Sequence, residues 1–142
     1  MAGYSGTPLP QKLGVKPGAR VVLVDAPADF ETELQPLPEG VSLSTKVEGN
    51  ADVILAFYTQ HSAFHGAFNG LAGILRPAGG LWIAWPKRSS GLATDLNENL
   101  IRAVGLAAGL VDNKVCAVTD VWSGLRFVYR LKGPSEAIAP SG

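Results

Sequence analysis

The chain has 142 residues, 46% of them hydrophobic, with twelve Lys plus Arg against twelve Asp plus Glu. That length suits a single globular core, and the apolar content lies well above that of disordered chains. A balanced charge supplies no net positive field for a phosphate backbone or an anionic bilayer, so neither nucleic acid nor membrane is an expected partner.

Residues 1–10 have no basic start and no apolar run, so they do not read as a signal peptide. No apolar stretch reaches the roughly 20 residues needed to cross a bilayer. The expected location is therefore cytoplasmic. Cys116 is the one cysteine, which leaves no internal disulfide and no Cys/His zinc spacing. Among Val115, Ala117 and Val118 it reads as a small apolar strand residue.

The first structured segment opens at the turn Lys16-Pro17-Gly18-Ala19. It continues into Arg20-Val21-Val22-Leu23-Val24-Asp25, whose consecutive apolar residues suit a strand covered on both faces. Ala28 to Leu34 is expected to form a helical turn or two, kept short by Pro36 and Pro38. Val41, Leu43, Thr45 and Val47 alternate with polar residues and predict a half-buried edge strand. Asp52 to Tyr58 is the next buried strand. Phe64, Phe68, Leu71 and Leu75 recur at helical spacing, and the helix they predict is expected to end at Arg76-Pro77. Gly79-Gly80 then turns the chain into the buried strand Leu81 to Trp85.

After the loop Pro86 to Ala93, Thr94 is the expected N-cap of a last helix, with Asp95 in its first turn. Leu96, Leu100, Val104, Ala107 and Ala108 would form its packing face. Val111 to Val118 and Leu125 to Leu131 close the domain as a hairpin, with Trp122 in the connecting loop. The expected domain spans 1–132 and is followed by a flexible tail, 133–142. Strands alternating with helices pair in parallel, whereas the last link is too short for a helix. The expected fold is thus a minimal Rossmann-like, three-layer α/β domain. Its sheet would be mostly parallel, with about six strands and a C-terminal antiparallel hairpin.

Residues 16–131 resemble a class I methyltransferase sheet with part of its first half removed. The resemblance rests on Lys16-Pro17-Gly18-Ala19-Arg20-Val21-Val22-Leu23-Val24-Asp25, on Leu75-Arg76-Pro77-Ala78-Gly79-Gly80-Leu81-Trp82-Ile83, and on the closing hairpin. Met1 to Leu9 and Trp85-Pro86-Lys87-Arg88-Ser89-Ser90-Gly91 are similar to a group of short bacterial proteins of unassigned function, which implies no activity. The methyltransferase resemblance implies S-adenosylmethionine as cofactor, with a glycine-rich turn after the first strand and an acidic residue ending the second. This chain has Asp25-Ala26-Pro27-Ala28-Asp29-Phe30 at the first place and Thr45-Lys46 at the second. Side chains at 26 to 28 are expected to crowd the crevice, and Pro27 also lacks an N–H donor. No cofactor is therefore expected.

In an open parallel sheet, ligands gather beyond the carboxyl ends of the strands, near the switch in strand order. That rule selects Asp25, Tyr58, His61, Trp85, Lys87, Arg88 and Ser89 as candidate binding residues. Lys87, Arg88 and Ser89 precede an expected helix N-terminus and suit a small anionic ligand, though the same loop also reads as a solvated connection. His61 and His65, four apart, share a helix face but have no third metal ligand, so no metal is expected. His61 with Asp25 could form an acid–base pair, but no nucleophile stands beside them, and no catalytic residue is assigned. Trp85 could line a pocket or simply pack. The leading expectation is a soluble, non-catalytic or regulatory protein that takes a small anionic ligand. The alternatives are a degenerate S-adenosylmethionine-dependent enzyme using Asp25 and Tyr58, and a partner subunit docking through an edge strand or the Trp122 loop.

Overall fold

The structure, a computed structural model, describes residues 7–130. The expected tail, 133–142, and the last residues assigned to the domain lie outside the described residues. The elements follow in the order α1 (Leu9–Leu13), β1 (Arg20–Val24), a 3-10 turn (Phe30–Leu34), β2 (Ser42–Ser44) and β3 (Ala51–Phe57), the strands β1 and β3 arising from the unbroken apolar runs. The chain continues through α2 (His61–Gly73), β4 (Leu75–Pro86), a second 3-10 turn (Arg88–Ser90), α3 (Glu98–Ala107), β5 (Leu110–Ala117) and β6 (Trp122–Tyr129). No helix among these residues is long and apolar enough to cross a membrane.

The sheet runs β2-β1-β3-β4-β6-β5. Its first four strands are parallel, and β6 is antiparallel to both of its neighbours. The expected mostly parallel six-stranded fold with a closing hairpin is the fold observed.

Both faces of the central strands are covered. On one face the row Val22, Ile54, Leu81 and Phe127 runs across the sheet beneath α2 and α3. Phe64, Phe68 and Leu71 of α2 and Ile101 of α3 pack into it, with Phe68 edge-on to Phe127 at 5.4 Å. On the other face, among the described residues, the helical elements over Leu23, Leu55 and Trp82 are five-residue α1 and the first 3-10 turn. Such short elements bring little apolar area, and Trp82 fills much of that layer from the sheet side. It is fully buried, and its indole N–H donates to the Leu13 carbonyl at 3.0 Å, fastening the end of α1 to β4.

Three local expectations are corrected. Helix α2 stops at Gly73, before Arg76-Pro77, because Ile74 leaves the helical conformation (ψ 0°) and Leu75 already pairs with Ala51. Arg76-Pro77-Ala78 is then the exposed, irregular start of β4, where proline is tolerated because the register with β3 shifts. Helix α3 starts later than predicted. Asn97 is its cap, accepting the Leu100 N–H at 2.9 Å. Its packing face carries Ile101 and Gly105, with Val104 half-buried, whereas Leu100 is 40% exposed. Trp122 opens β6 opposite Pro86 and does not sit in the loop.

Candidate functional site

The direction of strand addition reverses at β1 and β3, because β2 lies on one side of the pair and β4 on the other. The carboxyl ends of these strands form the edge where ligands of such sheets collect. At the end of β1 the backbone enters the left-handed region twice without glycine, at Asp25 (φ 55°) and Asp29 (φ 63°). Aspartate tolerates that conformation better than most residues. These two turns lead into the 3-10 segment and press Phe30 onto Phe57, ring centres 4.9 Å apart; Phe57 in turn meets Trp122 at 5.1 Å.

The result is a cavity of about 700 Å³ bounded by Asp25, Ala26, Pro27, Asp29, Glu31 and Thr45. The expected crowding by residues 26 to 28 is not found. Ala26 and Pro27 line the space and leave it open, because the two left-handed aspartates carry the chain around it. Three carboxylates face this cavity, and no Lys or Arg stands among its lining residues. Asp29, Glu31 and Thr45 were not among the candidate binding residues: the sequence marked the turn by its missing glycines, and Thr45 as the residue in place of an acidic one.

Tyr58 follows β3, with its N–H donating to the Ala84 carbonyl at 3.0 Å and its ring against Phe64. Burial, reinforced by the negative charge of Asp25, pushes its phenol up to about 12. At neutral pH Tyr58 is therefore a neutral hydroxyl and not a base. Thr59 next to it binds the loop after β4. Its carbonyl accepts from the Thr94 hydroxyl at 2.6 Å and from the Asp95 N–H at 3.2 Å. The Asp95 carboxylate accepts the His61 N–H at 2.7 Å, so this residue serves the N-terminus of α2, not that of α3 as expected. The His61 ring stacks on His65 at 5.7 Å. Among the described residues no hydrogen bond or ion pair joins His61 to Asp25, and no group of three His, Cys, Asp or Glu could hold a metal.

Trp85 is buried in the core beneath α2 and α3, together with Leu96. The Lys87 N–H donates to the Val121 carbonyl at 2.7 Å, while Arg88 and Ser89 are exposed on the second 3-10 turn. Arg88 borders a cavity of about 560 Å³ shared with Asn97, Glu98, Asn99 and Leu100 at the start of α3. Asp25 and Arg88 thus belong to different cavities, on strand ends separated by β3. The structure places the seven candidate residues along one edge without gathering them into one pocket.

No family model matches the sequence, and no curated protein is similar to it. Solved structures are similar in fold. A SAM-dependent methyltransferase from Aquifex aeolicus superposes with a TM-score of 0.61 at 15% identity, over 82% of this chain and 85% of that one. A magnesium protoporphyrin IX methyltransferase from Synechocystis, with bound SAH, gives 0.57 at 9% identity, over 86% and 78%. An exported protein from Bordetella parapertussis, so described as a possibility, gives 0.62 at 11% identity, over 86% and 65%. The fold is the methyltransferase-like Rossmann fold.

That likeness establishes the architecture and leaves the chemistry to the site. S-adenosylmethionine ends in a zwitterionic amino acid beside a sulfonium, and its carboxylate needs N–H donors or positive charge. The methyltransferase-like crevice of this chain offers Asp25, Asp29 and Glu31, together with a proline that has no N–H. No acidic side chain ends β2, where Thr45 lines the cavity. The residues present do not fit the cofactor. What the lining lacks is a cation for the cofactor's carboxylate and an acidic partner for its ribose, while space is available.

Proposed function

We propose that this is a non-catalytic, cytoplasmic binding or regulatory protein that uses a methyltransferase-like scaffold without the methyl donor. The supporting observation is the glycine-free turn after β1, which surrounds the switch-point cavity with three carboxylates. No Lys or Arg among the lining residues can pair with the carboxylate of S-adenosylmethionine, and the nearby Tyr58 phenol stays protonated, so it cannot act as a base at neutral pH. The expected outcome is that millimolar S-adenosylmethionine leaves the melting temperature within error of the ligand-free value. A native-state ligand at about 100 times its Kd would add roughly 2.7 kcal/mol of stability, so a clear rise would reverse this reading in favour of a degenerate enzyme.

A second reading takes the small anionic ligand to Lys87, Arg88 and Ser89. Its support is the position of Arg88 beside the cavity at the start of ten-residue α3. Asn97 already caps that helix, and Glu98 in its first turn pairs with Arg102, so any anion would rely on the two cations more than on the helix end. Inorganic phosphate should then raise the melting temperature of the wild type, and Lys87→Ala/Arg88→Ala should reduce the rise. An unchanged rise in that variant removes these residues from the reading.

A further inference from the structure

The row of residues beneath α1 changes character abruptly across the sheet. Leu23, Leu55 and Trp82 are followed by Arg126 and then Lys114, each directly opposite its neighbour. Like charges facing each other across adjacent strands oppose pairing. The Arg126 guanidinium lies over the bare Cα of Gly80, where a Cβ would come within 2.7 Å of Cζ and Nη2. A Cβ added at Gly14, the left-handed residue closing α1, would lie 4.0 Å from Nη2.

Among the described residues, Arg126 Nε is the buried side-chain nitrogen or oxygen with no hydrogen-bond partner, and no carboxylate pairs with the guanidinium. Burial alone holds this guanidinium below the ordinary arginine value. Lys12 and Lys114 converge on the same seam. Lys12 Nζ donates to the Ala117 carbonyl at 2.9 Å, and Lys114 Nζ donates to the Lys12 carbonyl at 3.2 Å. Both amines also act on the Cys116 thiol, against the upward push of its burial.

A part-buried guanidinium without a partner is costly, and an apolar side chain would suit this face better. The cost is understandable if a negative group completes the arrangement. We propose that Arg126, with Lys114 and Lys12, forms a binding site for a small oxyanion, a carboxylate or a phosphate, between α1 and the β5–β6 hairpin. An arginine fork matches either group, and two adjacent ammonium groups add attraction without demanding a particular geometry. The site stands apart from both the Asp25 cavity and the Arg88 loop.

The test uses the full chain carrying Lys87→Ala/Arg88→Ala, which silences the loop. Melting temperatures are followed against inorganic phosphate and, separately, acetate, with chloride balancing ionic strength. A saturable rise of about 3 °C or more is expected in at least one series, and the series that responds identifies the oxyanion. The rise should vanish on adding Arg126→Met, which keeps the stem and removes the fork. It should shrink with Lys114→Ala, an exposed position whose replacement is compatible with folding. No saturable rise in either series, or one that survives both substitutions, overturns the proposal.

Discussion

Replacing Trp82 with alanine should lower the unfolding free energy by about 4 kcal/mol, in the middle of the range for emptying a large buried aromatic site. The indole is fully buried on the sheet face that carries the thinner cover. The five-residue α1 and a 3-10 turn are too short to slide inward and close the space it would leave. The loss has a second component, because the Leu13 carbonyl loses the indole N–H at 3.0 Å and becomes a buried acceptor without its partner. Trp82→Phe separates the two effects. It retains most of the ring area and should cost about 1–2 kcal/mol, chiefly through the missing hydrogen bond. Urea unfolding followed by circular dichroism reads both, with the slope unchanged if only stability moves. Equal losses in the two variants would mean that ring volume is not what holds this face.

The second large effect has an unexpected sign. On an exposed helix surface, glycine to alanine is stabilising by up to about 1 kcal/mol. Gly105 lies in α3, yet a Cβ added there would sit 2.5 Å from Phe127 Cδ1 and 2.6 Å from Cζ. Phe127 cannot step aside, since it is fully buried, edge-on to Phe68 and held within β6. Gly105→Ala should therefore destabilise by about 2–3 kcal/mol through overpacking. Gly66→Ala in α2, where nothing lies within 4 Å of the added carbon, should instead stabilise by about 0.5–1 kcal/mol. Thermal melts of the two variants should move in opposite directions. A neutral or stabilising Gly105→Ala would show that α3 does not rest on β6 as closely as described.

Much of the architecture was legible in the sequence because β1, β3 and β4 are covered on both faces, and double coverage leaves an unbroken apolar run as its record. The short final link likewise recorded the hairpin. Helix ends were less legible, since they depend on partners far along the chain. Asp95 reads locally as part of the last helix, but its carboxylate caps α2 at His61, 34 residues earlier in the sequence. The packing face of α3 was misjudged because Leu100 looks like a core residue, whereas Gly105 has no side chain to announce its close approach to Phe127.

The candidate site was legible as a place and not as a constellation. Topology indicates the carboxyl edge, and Asp25 and Tyr58 are found there within electrostatic reach of one another. The missing glycines were read as bulk. In the folded chain two left-handed aspartates open the crevice and load it with charge, a result that depends on backbone angles no residue spacing records. Arg126 passed unnoticed because an arginine in an alternating strand ordinarily faces water, and only the structure shows its Nε enclosed without a partner.

Calorimetric titration of the wild-type protein with S-adenosylhomocysteine, which keeps the carboxylate end and lacks the sulfonium charge, addresses the crevice most directly. A lining with no cation for the ligand's carboxylate, and with Thr45 in place of an acidic partner for its ribose, predicts no saturable heat at millimolar ligand. Stoichiometric binding at micromolar concentration, lost in Asp25→Arg, would contradict the account and restore the methyl-donor site to this fold.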